Sequence, residues 1–291
     1  MKTIFSALAA VCFALPALAE DPKPTDFIRV DEDAKAARLQ TAVTRYEKDG
    51  ASVDLIGAVH IADGVYYKGL GERFTGYQSV LYEMVGGENA NLPKDAEEKA
   101  AEKKQKDLSG LHQIYTMVAR FLALTGQMES IDYTKPNFVH ADVTMEEFKR
   151  LQDERGESIL GLAEKAQKQG GANQPDPAKL MQAMLSGNSN KMKLEIIHTL
   201  GGGDDQIKMF AGESAIIGDR NAKCLEVLDT ELGKGRKKLA IFYGAAHFPD
   251  MEKRLVEKGF KRTKQEWATA WDVPKPEAVK PVPAEPLKKA S

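Results

Sequence analysis

Two seven-residue segments, far apart in the chain, constrain its fold more than any other feature. They are Gly57-Ala58-Val59-His60-Ile61-Ala62-Asp63 and Gly244-Ala245-Ala246-His247-Phe248-Pro249-Asp250. Four of the seven positions are identical. Each segment follows an apolar, strand-like run and precedes a helical pattern, so the two read as equivalent corners of a pseudo-symmetric α/β core. A glycine at such a corner permits close backbone approach or a dihedral that a side chain would forbid, and the turn after it can lift a histidine over the sheet edge. Where both corners meet, two imidazoles become available for a borderline metal ion or for proton transfer.

The residues around the first corner support this reading. Leu39, Ala42 and Tyr46 mix with polar residues up to Asp49-Gly50, and Val53 to Ile56 resumes the apolar pattern. An Asp-Gly step between two such runs predicts a hairpin, with strands over 39–46 and 53–57 and a further short strand at 27–30. Asp63 stands where a helix cap belongs. Val65, Tyr66, Leu70 and Phe74 form the stripe of the helix that follows, which ends at Gly76 before the apolar run 79–84. Glu83 then falls near the carboxyl end of a strand, where open α/β sheets gather functional groups.

The second corner repeats the order. Lys238 to Tyr243 reads as a strand and Pro249 starts a helix, with Leu255 and Val256 on its apolar side and Gly259 at its end. Ahead of it, Asp219 is read as the N-cap of a helix that buries Cys224, Leu225, Leu228 and Leu232, with Arg220 and Asn221 in its first turn, facing a cavity.

Residues 95–190 read as a mostly helical insertion. The charge-rich stretch 94–107 gives way to Leu108, Leu111, Tyr115, Val118 and Leu122 at helical spacing. After a loop at 132–137 come Phe138-Val139-His140-Ala141-Asp142. Thr144 and Glu147 then have capping-box spacing for a helix from Met145 to Asp153. Gly170-Gly171, Pro175 and Pro177 interrupt the next helical stretch, and Leu180, Met181, Met184 and Leu185 are assigned to a packed face. Residues 191–200 fit helix or strand equally, and Gly201-Gly202-Gly203 is a turn. The expected organisation is a signal peptide over 1–19, a first part of the core over 20–94, the insertion, a second part over 191–272 and a Pro-rich tail over 273–291.

Lys2, an apolar run from 4 to 15 and Ala17-Leu18-Ala19 predict export and cleavage near Ala19, which places the mature chain in a periplasm or outside the cell. The run is too short to span a bilayer, and no later segment approaches about twenty apolar residues; no transmembrane segment is expected in the mature chain. Cys12 follows Val11 rather than a small residue, which argues against lipid attachment. Cys224 is then the only mature cysteine, so no intramolecular disulfide forms. The 41 basic and 43 acidic residues nearly balance, which argues against nucleic-acid binding by bulk charge. The sequence has no Gly-x-Ser-x-Gly elbow and no phosphate-binding loop.

In their order along the chain, Gly57-Ala58-Val59-His60, Val80-Leu81-Tyr82-Glu83, Gly218-Asp219-Arg220-Asn221 and Gly244-Ala245-Ala246-His247 resemble the TraB/PrgY family, in the broad group that includes GumN-like proteins and the Tiki metalloproteases. The resemblance implies a mixed central sheet with surrounding helices. It also implies a pseudo-duplicated, TraB/Tiki-like core similar to the erythromycin-esterase and haem-uptake ChaN-like group. It assigns His60 and His247 to the two Gly-x-x-His motifs, Glu83 to the intervening acidic position, and Arg220 and Asn221 to the late polar motif. Tiki proteins are divalent-metal-dependent peptidases, which implies manganese or cobalt here, with zinc as a third fit. The His-Glu-x-x-His pattern of helical zinc proteases is not present at either histidine.

The expected chemistry is metal-assisted hydrolysis of a peptide, a protein or a small amide or ester. His60, Glu83 and His247 would be the metal ligands, Glu83 alternatively activating water. Arg220 would stabilise oxyanion charge and Asn221 would orient substrate or a ligand. His140 and Asp142, beside a helix start, are candidate substrate contacts. The rival class is a non-enzymatic periplasmic module that binds peptide or protein, or signals, with a structural or vestigial metal site. Haem or iron handling is a third reading, without a Cys-x-x-Cys-His motif to carry it. Each residue also has an ordinary role: local hydrogen bonds for the histidines, an ion pair for Glu83 or Arg220, a structural amide for Asn221, helix caps for Asp63 and Asp250, and packing for His112, His198 and Cys224.

Overall fold

The structure, a computed structural model, describes residues 25–87, 116–156, 177–200 and 215–276. The expected signal peptide, the charge-rich stretch and residues 108–115 with His112, Gly170-Gly171 and Pro175, the triple glycine and residues 277–291 of the tail lie outside the described residues. The strands are β1 (Ile28–Glu32), β2 (Ala36–Lys48), β3 (Ala51–Ala58), β4 (Ile61–Ala62), β5 (Ser79–Tyr82), β6 (Thr125–Gly126), β7 (Phe138–His140), β8 (Lys238–Gly244) and β9 (Lys261–Pro274). The helices are α1 (Gly64–Phe74), α2 (Met145–Arg155), α3 (Pro177–Leu185), α4 (Ser189–Leu200), α5 (Ala215–Gly233) and α6 (Phe248–Glu257), with helical turns at Gln127–Ser130 and Ala245–His247. Residues 116–122 are also helical.

The Asp-Gly hairpin forms as its sequence dictates. Asp49 and Gly50 both adopt positive φ, 48° and 74°, and the tight turn they make matches the twist of β2 and β3. β2 has three partners, although a strand has only two hydrogen-bonding edges. β1 pairs with the stretch from Ala37 to Thr41 and β3 with the stretch from Val43 to Lys48, so they share one edge end to end. β9 runs antiparallel along the other edge, from Ala36 to Glu47, through two register shifts. The long β9 strand was not read from the sequence, because the run from Lys261 to Gln265 is exposed and polar throughout and hides any alternation.

The sheet continues from β3 through β8, β5 and β7, all parallel. β5 and the Leu239–Tyr243 stretch of β8 are buried throughout, as expected of central strands covered on both faces. Neighbouring strand residues point to opposite faces. Phe242 meets Phe74 of α1, with ring centroids 4.9 Å apart, and Tyr243 lies beside Cys224 of α5. These contacts place α1 and α5 on opposite faces of one mixed sheet. No helix among the described residues is long and apolar enough to cross a membrane.

Several local expectations need correction. Within residues 95–190, β7 is a strand of the central sheet, so the chain returns there to the core. α5 begins at Ala215, which puts Asp219 inside the helix; its carboxylate pairs with Arg155 of α2 at 3.0 Å, and Arg220 and Asn221 belong to the second turn. Val65, Met181, Met184 and Leu185 are exposed, while Tyr67 and Ala183 take buried places on α1 and α3. Val256 is exposed beside the buried Leu255. Residues 191–200 are helical. At α2 the full capping box is present: Thr144 accepts from the Glu147 amide and Glu147 from the Thr144 amide. Thr144→Ala is expected to cost about 1 kcal/mol, seen as a lower urea midpoint at unchanged slope.

Candidate functional site

The parallel order of the sheet brings the two distant corners together. β8 is inserted between β3 and β5, with Ala58 opposite Gly244, Tyr82 opposite Phe242, and Tyr82 also opposite His140 of β7. Four segments therefore leave the sheet at one edge, in the order His60, His247, Glu83 and Asp142. This is the carboxyl edge at which α/β sheets bind ligands. Arg220 and Asn221 reach it from α5.

His247 is buried in the Ala245–His247 turn, edge-on to the Tyr243 ring, with centroids 5.2 Å apart. Its Nδ1 lies 2.6 Å from Asn221 Oδ1. The fully buried Asn221 amide is oriented by its other end, because Nδ2 donates to the His247 carbonyl at 3.1 Å and to Asp250 at 2.8 Å. The oxygen therefore faces the imidazole and Nδ1 must carry a proton. In the neutral ring this leaves the Nε2 lone pair toward Glu83, whose Oε1 is 3.5 Å away. Asp250 also accepts from Arg254 at 2.7 Å, which completes the chain His247, Asn221, Asp250, Arg254. Asp250 is thus a supporting carboxylate. The i,i+4 spacing of Asp250 and Arg254 was its available sequence signal.

Glu83 lies one residue past β5. Its Oε1 accepts from Arg220 and its Oε2 from the Gly244 amide, both at 2.7 Å. A Cβ on Gly244 would stand 3.3 Å from Oε2, so glycine lets the backbone approach the carboxylate. Gly57 serves a different neighbour: a Cβ there would meet Thr41 Cβ at 3.1 Å and the Ala42 carbonyl at 3.3 Å, both on β2. Burial opposes ionisation of Glu83. The charge of Arg220, joined by the His247 and His60 rings whenever they are protonated, outweighs it and holds the carboxyl well below its usual range.

Arg220 grips Asp142 with both ends of its fork, Nε to Oδ1 at 2.9 Å and Nη2 to Oδ2 at 2.6 Å, and Nη2 also reaches Glu83. Burial disfavours the guanidinium charge, but Glu83 and Asp142 raise its pKa above the ordinary arginine value. Asp142 is held further by the Val143 amide at 2.8 Å. His140 donates to or accepts from nothing beyond the adjoining turn among the described residues: its Nε2 sits 2.7 Å from the Met84 carbonyl and its ring packs on Tyr82. Asp142 therefore belongs to the charged cluster, while His140 shapes the turn behind it.

The first corner is built differently from the second. His60 is exposed, in the turn between β3 and β4, and is near enough to act on the charge of Glu83. Tyr66 and Tyr67 of α1 donate to the carbonyls of Gly57 and Val59, each at 2.7 Å, and the Gln127 amide donates to the His60 carbonyl at 2.9 Å. Trp271 fixes the next residue by donating to the Ile61 carbonyl. Asp63 occupies the N-cap position of α1 without a side-chain cap bond; its carboxylate accepts from the Asp272 amide instead. His198 pairs with Glu32 of β1 at 3.2 Å.

Ligand atoms lie about 2.0–2.2 Å from a bound transition-metal ion, so two ligands of one ion stand about 3–3.5 Å apart. His247 Nε2 and Glu83 Oε1 meet that separation. Among the described residues, no group of three or more His, Cys, Asp or Glu side chains is arranged to hold an ion. A surface cleft of about 320 Å³ lies at the opposite end of the sheet, lined by Lys48, Asp229, Lys258 and neighbours. Two of its lysines bond within the chain, Lys48 to the Lys258 carbonyl and Lys258 to Asp229, so it reads as a surface hollow rather than a second site. Compared with known proteins, the chain matches no family model, no curated protein and no solved structure.

Proposed function

We propose that this exported chain is a divalent-metal-dependent hydrolase of a peptide or another amide or ester, with a pseudo-duplicated core of TraB/PrgY type. The observation that carries the reading is the fixed tautomer of His247, whose Nε2 faces an ionised Glu83 at ligand-to-ligand separation. His247 and Glu83 would hold the ion, with His60 as the further ligand from its exposed turn. Imidazole with carboxylate suits Mn²⁺ or Co²⁺, and also Zn²⁺. The ion would supply Lewis acidity and a bound water of lowered pKa.

The protein's own part is to prepare the charge. Asn221 and Asp250 keep the His247 lone pair outward. The Gly244 amide and Arg220 keep Glu83 ionised and aimed. Asp142 holds the guanidinium in place, and Arg220 Nη1, which makes no hydrogen bond among the described residues, is the group left to meet developing negative charge.

A second reading rests on a separate observation: both oxygens of Glu83 already accept strong hydrogen bonds, and no three-donor set closes among the described residues. It makes the chain a non-enzymatic binding or signalling module whose charged cluster is structural. Calorimetric titration of Mn²⁺ and Co²⁺ into metal-stripped mature protein separates the two. Saturable binding near one ion per chain, abolished in a folded His60→Ala/His247→Ala variant, is expected of the hydrolase. No binding of either ion by wild type rejects that assignment in favour of the module.

A further inference from the structure

Both corners carry an aspartate three residues after the histidine, and the two aspartates hold different things. Asp250 orients Asn221 and, through it, the His247 ring. Asp63, at the start of α1, makes no side-chain cap bond to its own helix. Its Oδ2 accepts from the Asp272 amide at 2.8 Å, and its own amide donates to the Ala270 carbonyl, also at 2.8 Å. Between those two residues, Trp271 donates from its indole Nε1 to the Ile61 carbonyl at 2.7 Å. Consecutive residues 270–272 of β9 therefore hold the chain immediately after His60.

The path of β9 makes this possible. β2 pairs with β3 only from Val43 onward, whereas β9 follows β2 beyond that point until Pro274 stands opposite Ala36. A register shift sets Trp271 opposite Leu39 and Thr269 opposite Gln40, which leaves Ala270 with no counterpart on β2. A bulge of this kind bends the strand and re-aims the groups beside it. Here it turns the Ala270 carbonyl to Asp63 and sets Trp271, only 4% exposed, against the His60 turn. The near side of the turn is held as well, by Tyr67 on the Val59 carbonyl and by the Gln127 amide on the His60 carbonyl. The His60 side chain is nevertheless exposed. An exposed ring loses rotamer freedom when it is ordered around an ion, and a backbone fixed beforehand confines that loss to the ring itself.

We infer that Trp271 and Asp63 are positioning residues for His60, as Asn221 and Asp250 are for His247: they fix the backbone from which the His60 ring meets an ion held by His247 and Glu83. This role rests on the metal-binding reading of the site, and it makes the affinity of that site depend on the C-terminal strand. Groups that orient metal ligands from behind typically contribute about tenfold or more to affinity.

Mn²⁺ calorimetry on metal-stripped mature protein tests the role. Trp271→Phe keeps an aromatic ring and removes the indole N–H; it is expected to bind Mn²⁺ about tenfold more weakly while its urea unfolding curve shows a folded protein. In a His60→Ala background, which keeps His247 and Glu83, the same substitution should change affinity less than about twofold, because the ring it positions is gone. Asp63→Ala should reproduce the loss. Asp63→Asn, whose amide oxygen can still accept from the Asp272 amide, should keep wild-type affinity. Unchanged affinity in Trp271→Phe overturns the role, and so does an equal loss with and without His60, since a general loosening of the fold acts in both backgrounds. Should Trp271→Phe fail to fold, the Asp63 variants decide: wild-type affinity in Asp63→Ala, or a loss in Asp63→Asn as large as in Asp63→Ala, overturns it. Absence of Mn²⁺ binding by wild type removes the metal reading and the role with it, an outcome distinct from binding that is indifferent to Trp271.

Discussion

Arg220→Met is expected to destabilise the protein by about 3–5 kcal/mol at pH 7, because it strands two buried carboxylates that the guanidinium now pairs. The Asp142 side chain is fully buried and that of Glu83 is 15% exposed, so water cannot replace the lost partner. The pH dependence carries the diagnosis. In wild type, Glu83 is held well below its ordinary value of 4.5. A depressed carboxyl contributes stability that is fully present above the unfolded pKa and is lost as pH falls through the folded one. Without Arg220, burial becomes the governing influence on Glu83 and favours the protonated acid. The variant should then become relatively more stable as pH falls from 7 toward 5, narrowing its gap to wild type. Urea unfolding at both pH values measures this. A cost below about 1 kcal/mol with no pH dependence would mean that the cluster is solvated and ordinary surface-pair energetics apply. Arg220→Lys should recover only part of the loss, since an ammonium cannot make the paired fork to Asp142.

Phe138→Ala is expected to cost about 3–5 kcal/mol, a magnitude typical of a buried aromatic whose cavity collapses only in part. Phe138 is 4% exposed, and its ring meets Phe74, Tyr82 and Tyr133 at centroid distances of 5.4, 5.9 and 5.7 Å. It also lies on β7, the strand that delivers Asp142 to Arg220. Unfolding should therefore stay cooperative and shift as a whole. A loss below about 1 kcal/mol, or a separate early transition, would mark residues 138–140 as peripheral to the core.

The local chemistry of the chain was legible in its sequence wherever a pattern was short-ranged. Asp49-Gly50 specified the hairpin through its left-handed dihedrals, Thr144 and Glu147 specified a helix start, and the apolar runs at 79–84 and 238–243 became central strands. The grouping of His60, Glu83 and His247 was also visible, because residues that follow parallel strands share one sheet edge; Arg220 and Asn221, which sit on a helix, were placed with them only by the family resemblance. Charged β9 was not, since its place is set by pairing with β2 rather than by its own periodicity. Nor was β7, too short to declare itself, or the burial of Ala183 in place of Met181 and Met184 on α3.

The sequence by itself determined the mixed α/β character and the two glycine-histidine corners, because turn dihedrals and strand hydrophobicity act within a few residues. Only the tertiary structure decided what the corners became. Insertion of β8 between β3 and β5 buried one histidine against Asn221 and left the other exposed. Packing of α5 over the strand ends engaged Arg220 with two carboxylates. Those outcomes depend on contacts between residues 26, 78 and 137 positions apart, which neither corner encodes alone.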